Sequence, residues 1–159
     1  MIRIRVPAQL RYRDVVVRTV AASCKLVGDR QDSLARQAPQ KLDLGSEFDS
    51  DVVSAFSEVF NNVVLHGYAG HNGDVSVEIE ASSVAIVIRV MDDGHAFDLE
   101  SVPAPDLDTL PEGGMGVFIC QQLLDELKYE PGAPNIWTLT KRFPPLAAGH
   151  GLTSQPSSE

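Results

Sequence analysis

Three polar side chains recur every four residues within one apolar stretch, and their types could support chemistry. Glu58, Asn62 and His66 occur in the segment SEVFNNVVLHGY, at positions i, i+4 and i+8. A helix turns roughly 100° per residue, so these side chains would drift by only about 80° and share one face. A carboxylate, an amide and an imidazole in one stripe could hold a metal or a phosphate. A solvated polar face of an amphipathic helix would have the same pattern.

A second candidate lies at the end of a hydrophobic run, where the sequence reads Asp92-Asp93-Gly94. A carboxylate buried there needs a hydrogen-bond donor, because an unpaired charge is costly to remove from water. The exocyclic amine of adenine is such a donor, whereas guanine presents an acceptor oxygen at the same position. Gly94 would let the backbone approach a bound base closely. A plain turn at the end of a strand would also explain these residues.

A third candidate is a group of glycines, Gly113, Gly114 and Gly116, which surround Met115 just before a predicted helix. Glycines permit a tight backbone, and the free amides at a helix N-terminus can bind phosphate. No Lys-Ser or Lys-Thr follows, so the segment is not a Walker loop. No strand immediately precedes it, so it is not a dinucleotide fingerprint either. Alone, the glycines do not specify a ligand.

The elements that must position these residues follow from hydrophobic periodicity and from turn residues. Helices and antiparallel-leaning strands occur in separate blocks, which predicts an α+β fold, a two-layer sandwich of helices on a sheet. Asp49 is the expected cap of the helix that carries Glu58, and that helix should end near Gly67. The predicted strands are Ile2–Val6, Val75–Ile79, Val84–Val90 and Asn135–Phe143, and the predicted helices are Leu10–Val27, Asp49–Gly67 and Gly116–Leu127.

Composition and charge argue against nucleic-acid-binding, secreted and membrane-spanning proteins. The chain has 159 residues, which favours one domain, and a net charge of −9, which repels a nucleic-acid backbone. Cys24 and Cys120 each lie in an apolar stretch without metal-ligand spacing, so we expect two buried, reduced thiols. The sequence has no signal-peptide pattern and no apolar run of about 20 residues, the length that spans a bilayer. We therefore expect a cytoplasmic protein that binds neither nucleic acid nor membrane.

In this order and on these elements, the three motifs resemble those of the anti-sigma-factor serine kinases in the GHKL ATPase superfamily. Glu58-x3-Asn62-x3-His66-Gly67-Tyr68 resembles their N-box. Asp92-x-Gly94-x-x-Phe97-Asp98 is similar to their adenine box, and Glu112-Gly113-Gly114-Met115-Gly116 to their glycine box. The resemblance covers approximately residues 2–143, and it is strong from residue 56 onward.

The resemblance implies a helix layer on a mixed, mostly antiparallel sheet, with ATP between the helix of Glu58 and the loop before the glycines. By the same resemblance, Asn62 would coordinate Mg²⁺, whose preference for oxygen ligands suits an amide. Glu58 would be the catalytic base that orients a substrate hydroxyl or accepts its proton. Asp92 would read adenine. The other nucleotide-binding positions implied are His66, Gly94, Phe97, Gly113, Gly114, Met115 and Gly116, with residues 95–112 as an ATP lid.

The resemblance also implies partners. Such a kinase phosphorylates a STAS-domain antagonist, binds a sigma factor or another target, and forms a homodimer. A nucleotide-dependent sequestering module with little kinase activity is the alternative. A sensor histidine kinase fragment is disfavoured, because no upstream helix pair with a phospho-accepting histidine is present. We expect residues 1–143 to form the kinase domain and residues 144–159 to form a disordered tail.

Overall fold

Five strands form one sheet in the computed structural model, which describes residues 1–26, 46–97 and 115–143. They are β1 (Ile2–Pro7), β2 (Asp74–Ala81), β3 (Ala85–Asp92), β4 (Glu126–Glu130) and β5 (Asn135–Arg142). Their order across the sheet is β1-β2-β3-β5-β4. The family resemblance implies a mixed, mostly antiparallel sheet, and among the described strands every pairing is antiparallel.

Helices pack on the face of the sheet that carries its buried side chains. They are α1 (Arg13–Cys24), which follows a 3-10 turn (Leu10–Tyr12), α2 (Glu47–Asn62), which continues into a π-helix (Val63–Tyr68), and α3 (Met115–Leu123). The predicted two-layer α+β class is therefore confirmed. In the described part of the chain, every helix is too short or too polar to cross a lipid bilayer.

The core lies between the two layers, and it follows from the periodicity of the elements. Along β2, the side chains of Val75, Val77 and Ile79 are at most 1% exposed, while the residues between them face outward. On α2, Phe56 and Phe60 are fully buried. Burying a side chain of this size contributes roughly 1.5–3 kcal/mol, so these rows hold α2 firmly against the sheet. The position of α2 matters because it carries Glu58 and Asn62.

The two cysteines are part of this core. Cys24 and Cys120 are both buried and unpaired, which confirms the prediction of two reduced thiols. Burial raises the pKa of each thiol to about 12. At neutral pH both side chains are therefore protonated, and they act as small apolar groups rather than as nucleophiles or metal ligands.

The predicted boundary of α2 at its start is wrong. Ser46, not Asp49, caps the helix, because its hydroxyl accepts a hydrogen bond of 3.1 Å from the Asp49 amide. Asp49 lies within the first turn, where it is 4% exposed and forms an ion pair with Lys25 at the end of α1. A carboxylate in the first turn also interacts favourably with the helix dipole.

The helix that carries Glu58 ends near Gly67, as predicted: the π-helix continues to Tyr68, and Ala69 and Gly70 then take positive φ angles of 47° and 87°. The predicted end of the third helix is wrong. The third helix ends at Leu123 rather than at Leu127, which lies in β4. The predictions for residues 28–45, residues 98–112, Gly113, Gly114 and the tail at 144–159 lie outside the described residues.

Candidate active site

A cavity of about 270 Å³ lies where the end of α2 and the π-helix meet the ends of β3, β4 and β5. Three groups of residues line it, and each comes from a different part of the chain. They are Asn62, Val63, His66 and Gly67 from the helical side, Asp92, His95, Ala96 and Phe97 from β3 and its turn, and Tyr129 and Trp137 from β4 and β5.

Asp92 is the buried acceptor of this cavity. It is the last residue of β3 and is 4% exposed. Its Oδ1 accepts hydrogen bonds from the Gly94 amide at 2.9 Å and from Asn135 Nδ2 at 3.1 Å, and no described residue donates to Oδ2. Burial raises the pKa of the Asp92 carboxyl; the hydrogen bonds from Asn135 and Gly94 lower it, and the charge of Asp93 raises it. The side chain therefore retains acceptor capacity for a ligand donor.

The turn after β3 packs directly on the backbone of the π-helix. The His95 amide donates to the Gly67 carbonyl at 2.8 Å. A Cβ at Gly94 would lie 2.7 Å from both the carbon and the oxygen of that carbonyl, which is too close for any real side chain. Gly94 is therefore required for the approach of two backbones, one of which carries Asp92.

The Tyr68 hydroxyl also bonds to the turn after β3. It donates to the Asp74 carbonyl at 2.7 Å and accepts from the Asp93 amide at 3.1 Å. Burial raises the pKa of Tyr68, so the hydroxyl is protonated at neutral pH and can donate. These two bonds connect the π-helix to the start of β2 and to the end of β3. They fix the backbone on which Asp92 is mounted.

Glu58 and Asn62 meet α3 at its first turn. A Cβ at Gly116 would lie 2.8 Å from Glu58 Oε2 and 3.5 Å from Asn62 Nδ2. Both polar side chains are half-buried. The helical spacing of Glu58 and Asn62 thus brings a carboxylate and an amide together against the last glycine of the predicted glycine box. His66, on the π-helix, is exposed and lines the cavity.

The donor set suits Mg²⁺ rather than a transition metal. Within residues 1–26, 46–97 and 115–143, no cluster of three His, Cys, Asp or Glu side chains could hold a metal ion. Asn62 and Glu58 offer amide and carboxylate oxygens, which are hard ligands. Mg²⁺ binds in this way, with one or two protein oxygens completed by phosphate and water. The residues present therefore fit Mg²⁺ carried with a nucleotide.

An aromatic wall on the β4–β5 side of the cavity is not predicted by the sequence. It consists of Phe97, Tyr129 and Trp137, with ring centroids 4.4 Å apart for Tyr129 and Trp137 and 5.5 Å apart for Phe97 and Trp137. The Tyr129 hydroxyl accepts from the Phe97 amide at 2.7 Å. Only Phe97 belongs to a recognised motif. Asn135, which contacts Asp92, was also missed, although the alternation of β5 places Asn135 and Trp137 on one face.

The structure brings most of the predicted site residues to one place. Asn62, His66, Asp92 and Phe97 line the cavity. Gly94 is adjacent to the Asp92 carboxylate, and Glu58 and Gly116 lie beside Asn62. Met115 is the first residue of α3 and is half-buried. The roles of these residues in binding and catalysis stay predictions.

Comparison with known proteins identifies the family. The profile of the histidine kinase-like ATPase domain matches residues 8–141. The serine-protein kinase RsbW of Bacillus subtilis (strain 168) is 26% identical over 161 residues, which cover 96% of this chain and 91% of that protein. The RsbW of Staphylococcus aureus is 28% identical, over 82% of this chain and 80% of its own. The anti-sigma F factor of Thermoanaerobacter sp. (strain X514) is 33% identical, over 64% of this chain and 75% of its own. The chain therefore belongs to the histidine kinase-like ATPase family, among the anti-sigma-type serine-protein kinases.

Proposed function

We propose that this chain is an ATP-dependent protein-serine kinase that phosphorylates a STAS-domain antagonist in a partner-switching system. The names of its relatives, serine-protein kinase RsbW and anti-sigma F factor, support this function. One observation carries the proposal. Glu58 and Asn62 lie together against Gly116, and Asn62 also lines the cavity in which Asp92 is buried. A carboxylate that could act as a general base, an amide that could bind Mg²⁺ and a buried carboxylate that could accept from adenine thus lie along one site.

The purine end of the nucleotide belongs at Asp92. Its carboxylate would accept from the exocyclic amine of adenine, because Oδ1 already has protein donors and Oδ2 has none among the described residues. The apolar wall formed by Phe97, Tyr129 and Trp137 would cover the rest of the base. Gly113 and Gly114, by resemblance, would lie at the phosphates.

The phosphate end belongs at Asn62 and Glu58. Asn62 would hold Mg²⁺, which when bound neutralises charge on the phosphate oxygens. Glu58 would orient the serine hydroxyl of the protein substrate and accept its proton as the serine oxygen bonds to the γ-phosphorus. The bond between that phosphorus and the bridging oxygen breaks, and ADP leaves. The products are phosphoserine and ADP.

The partners follow from the same proposal. The phosphorylated antagonist would be released, and the kinase would then be free to bind a sigma factor or another regulatory target. A homodimer is the proposed assembly. ATP, the antagonist and a sigma factor all act in the cytoplasm, so we place the protein there.

Transfer of labelled phosphate tests the function directly. The full chain is incubated with Mg²⁺ and γ-labelled ATP, and each STAS-domain protein from the same genome is added separately. We expect label on a serine of one antagonist, and none on a variant in which that serine is alanine. If the chain binds Mg-ATP but labels no antagonist, the sequestering function is correct and the kinase function is wrong.

A further inference from the structure

Asn135 is a buried polar residue that lies directly across the sheet from Asp92. It begins β5, its Cα pairs with that of Asp92 in the antiparallel register, and it is 1% exposed. Its Nδ2 donates to Asp92 Oδ1 at 3.1 Å and to the Gly94 carbonyl at 2.9 Å. Its Oδ1 accepts from the Gly132 amide at 3.1 Å.

These bonds fix the orientation of the Asn135 amide. An asparagine has two N–H donors, and both are used, one by Asp92 and one by the Gly94 carbonyl. A flipped amide would turn its oxygen toward the Asp92 carboxylate and its N–H groups toward the Gly132 amide, which is unfavourable at both ends. The residue is therefore held as a donor to Asp92.

Asp92 Oδ1 receives a second hydrogen bond, from the Gly94 amide at 2.9 Å. One oxygen of the carboxylate is thus occupied by the protein, while the other receives no donor from the described residues. The same Asn135 group also donates to the Gly94 carbonyl, so one side chain bonds both the carboxylate and the turn beside it.

We propose that Asn135 is a positioning residue that sets the purine specificity of this site, because it holds Asp92 as an ionised acceptor with one oxygen left for adenine. The inference rests on the proposed function, in which Asp92 reads the base. An ionised carboxylate accepts from the amine of adenine and repels the carbonyl oxygen of guanine. A protonated carboxyl could instead donate to that oxygen. Asn135 therefore favours adenine by favouring the charged form.

The hydrogen bond from Asn135 matters because the burial of Asp92 favours its protonated form. Burial raises the pKa of the carboxyl, and the Asn135 bond opposes that effect. Other titratable groups surround it. Asp93 is next in the chain and Tyr68 ends the π-helix. His66, His95 and Tyr129 line the same cavity, and on the other side Arg3, Arg5, Asp74 and Glu78 of β1 and β2 line a second cavity with Asp92. Among them, Asp93 also raises the pKa of Asp92. Without Asn135, protonation should therefore begin at a higher pH.

The test is the affinity for ADP and GDP, measured by calorimetry from pH 5.5 to 8.5 with the full chain. Asn135→Ala should weaken ADP binding at pH 7 about tenfold, since one hydrogen bond to a charged group is lost. The ratio of ADP to GDP affinity should fall, and the pH below which ADP affinity declines should rise. Asn135→Ser keeps a donor and should recover part of each change. Thr138→Ala, on the opposite face of β5, is the control and should match the wild type.

A purely structural role for Asn135 would lower the melting temperature without changing the purine preference or the pH profile. That result in folded Asn135→Ala overturns the inference. If the wild type binds no ADP, or if Asp92→Asn binds it normally, the proposed function fails instead. If the Asn135 variants do not fold, the side-chain amide of Asn135 can be followed by nitrogen NMR in the wild type. It should shift as Asp92 titrates and when ADP is added, and a signal unchanged by both contradicts the proposal.

Discussion

Gly116 lies against the carboxylate of Glu58, with no room for a side chain between them. A Cβ at Gly116 would be 2.8 Å from Glu58 Oε2, which is nearer than real Cβ contacts allow. The atom that blocks it is the far end of a flexible side chain rather than backbone. A substitution there would therefore move the proposed catalytic base without disturbing the core.

Gly116→Ala should separate stability from activity. Alanine is better than glycine in a helix by about 1 kcal/mol, so α3 should be as stable as in the wild type or more so. The displaced Glu58 carboxylate should slow phosphoryl transfer, by on the order of 10²-fold if it moves by about 1 Å. Urea unfolding and a labelled-ATP assay measure the two effects. Gln121→Ala, at an exposed position of α3, is the control, and equal kinase rates in the two variants would contradict the role given to Glu58.

Substitutions of Glu58 and Asn62 should affect phosphoryl transfer and Mg-ATP binding differently. Glu58→Gln keeps the shape but removes the basicity, so Mg-ATP binding should persist while serine phosphorylation falls about 10²–10⁴-fold. Asn62→Ala removes the proposed metal ligand and should weaken Mg-dependent ATP binding at least roughly tenfold. Calorimetry with and without Mg²⁺, combined with the transfer assay, distinguishes them. A Glu58→Gln protein that phosphorylates at the wild-type rate means that the base lies elsewhere.

Asp92→Asn should lose affinity for ATP. The substitution replaces an acceptor-only group with an amide that can also donate, and it removes the charge from the proposed hydrogen bond to adenine. Such a loss in a buried site costs about 1.5–3 kcal/mol, or roughly ten- to a hundred-fold in affinity. Calorimetry on the folded variant gives the value, and unchanged affinity would falsify the adenine assignment.

Asp92→Asn should also stabilise the nucleotide-free protein at neutral pH. Because burial raises the pKa of Asp92 in the folded state, the folded chain binds more protons than the unfolded chain between the two pKa values. This carboxyl therefore makes the free energy of unfolding fall as pH rises through that window. Asp92→Asn removes the effect, so its advantage over the wild type should be largest above the folded-state pKa and should vanish at acid pH. Urea unfolding at several pH values checks this, and an advantage that does not vary with pH contradicts it.

Tyr68→Phe should destabilise the end of β3. The hydroxyl serves both the Asp74 carbonyl and the Asp93 amide, and its removal leaves backbone groups without their partner. The expected loss is about 1–3 kcal/mol in the free energy of unfolding. Tyr12→Phe is the matched control, because no described residue shares a hydrogen bond with that hydroxyl. A loss no greater than that of the control would mean that water replaces the Tyr68 bonds.

Much of the fold could be predicted from local patterns. Apolar and polar residues alternate clearly along β2 because one face of the sheet is accessible to solvent. The burial of Val75, Val77 and Ile79 follows this alternation. The spacing of Glu58 and Asn62 correctly placed them on one side of α2. The end of α3 was harder to predict, because Leu124 and Leu127 continue an apolar pattern that suits either a helix or a short strand.

The site residues that the sequence did not predict reach the cavity through pairing between strands that are distant in the chain. Asn135 reaches Asp92 only because β5 pairs with β3 in a register that aligns the two residues. Nothing near either residue in the sequence specifies that register, and a slip of one residue would turn Asn135 to the other face. Trp137 and Tyr129 reach the cavity through the same pairing and the one between β4 and β5.

The strand order also has a consequence for synthesis on the ribosome. Asp92 and Asn135 are 43 residues apart, and β5 is inserted between β3 and β4. While the chain grows, β3 is translated well before the strand that covers its edge, and an open edge can pair with another chain. At that stage Asn135 and Trp137 have not yet been made, so the cavity that contains Asp92 is incomplete. A nascent chain arrested before β5 would therefore lack part of the proposed purine site and expose the strand that carries Asp92.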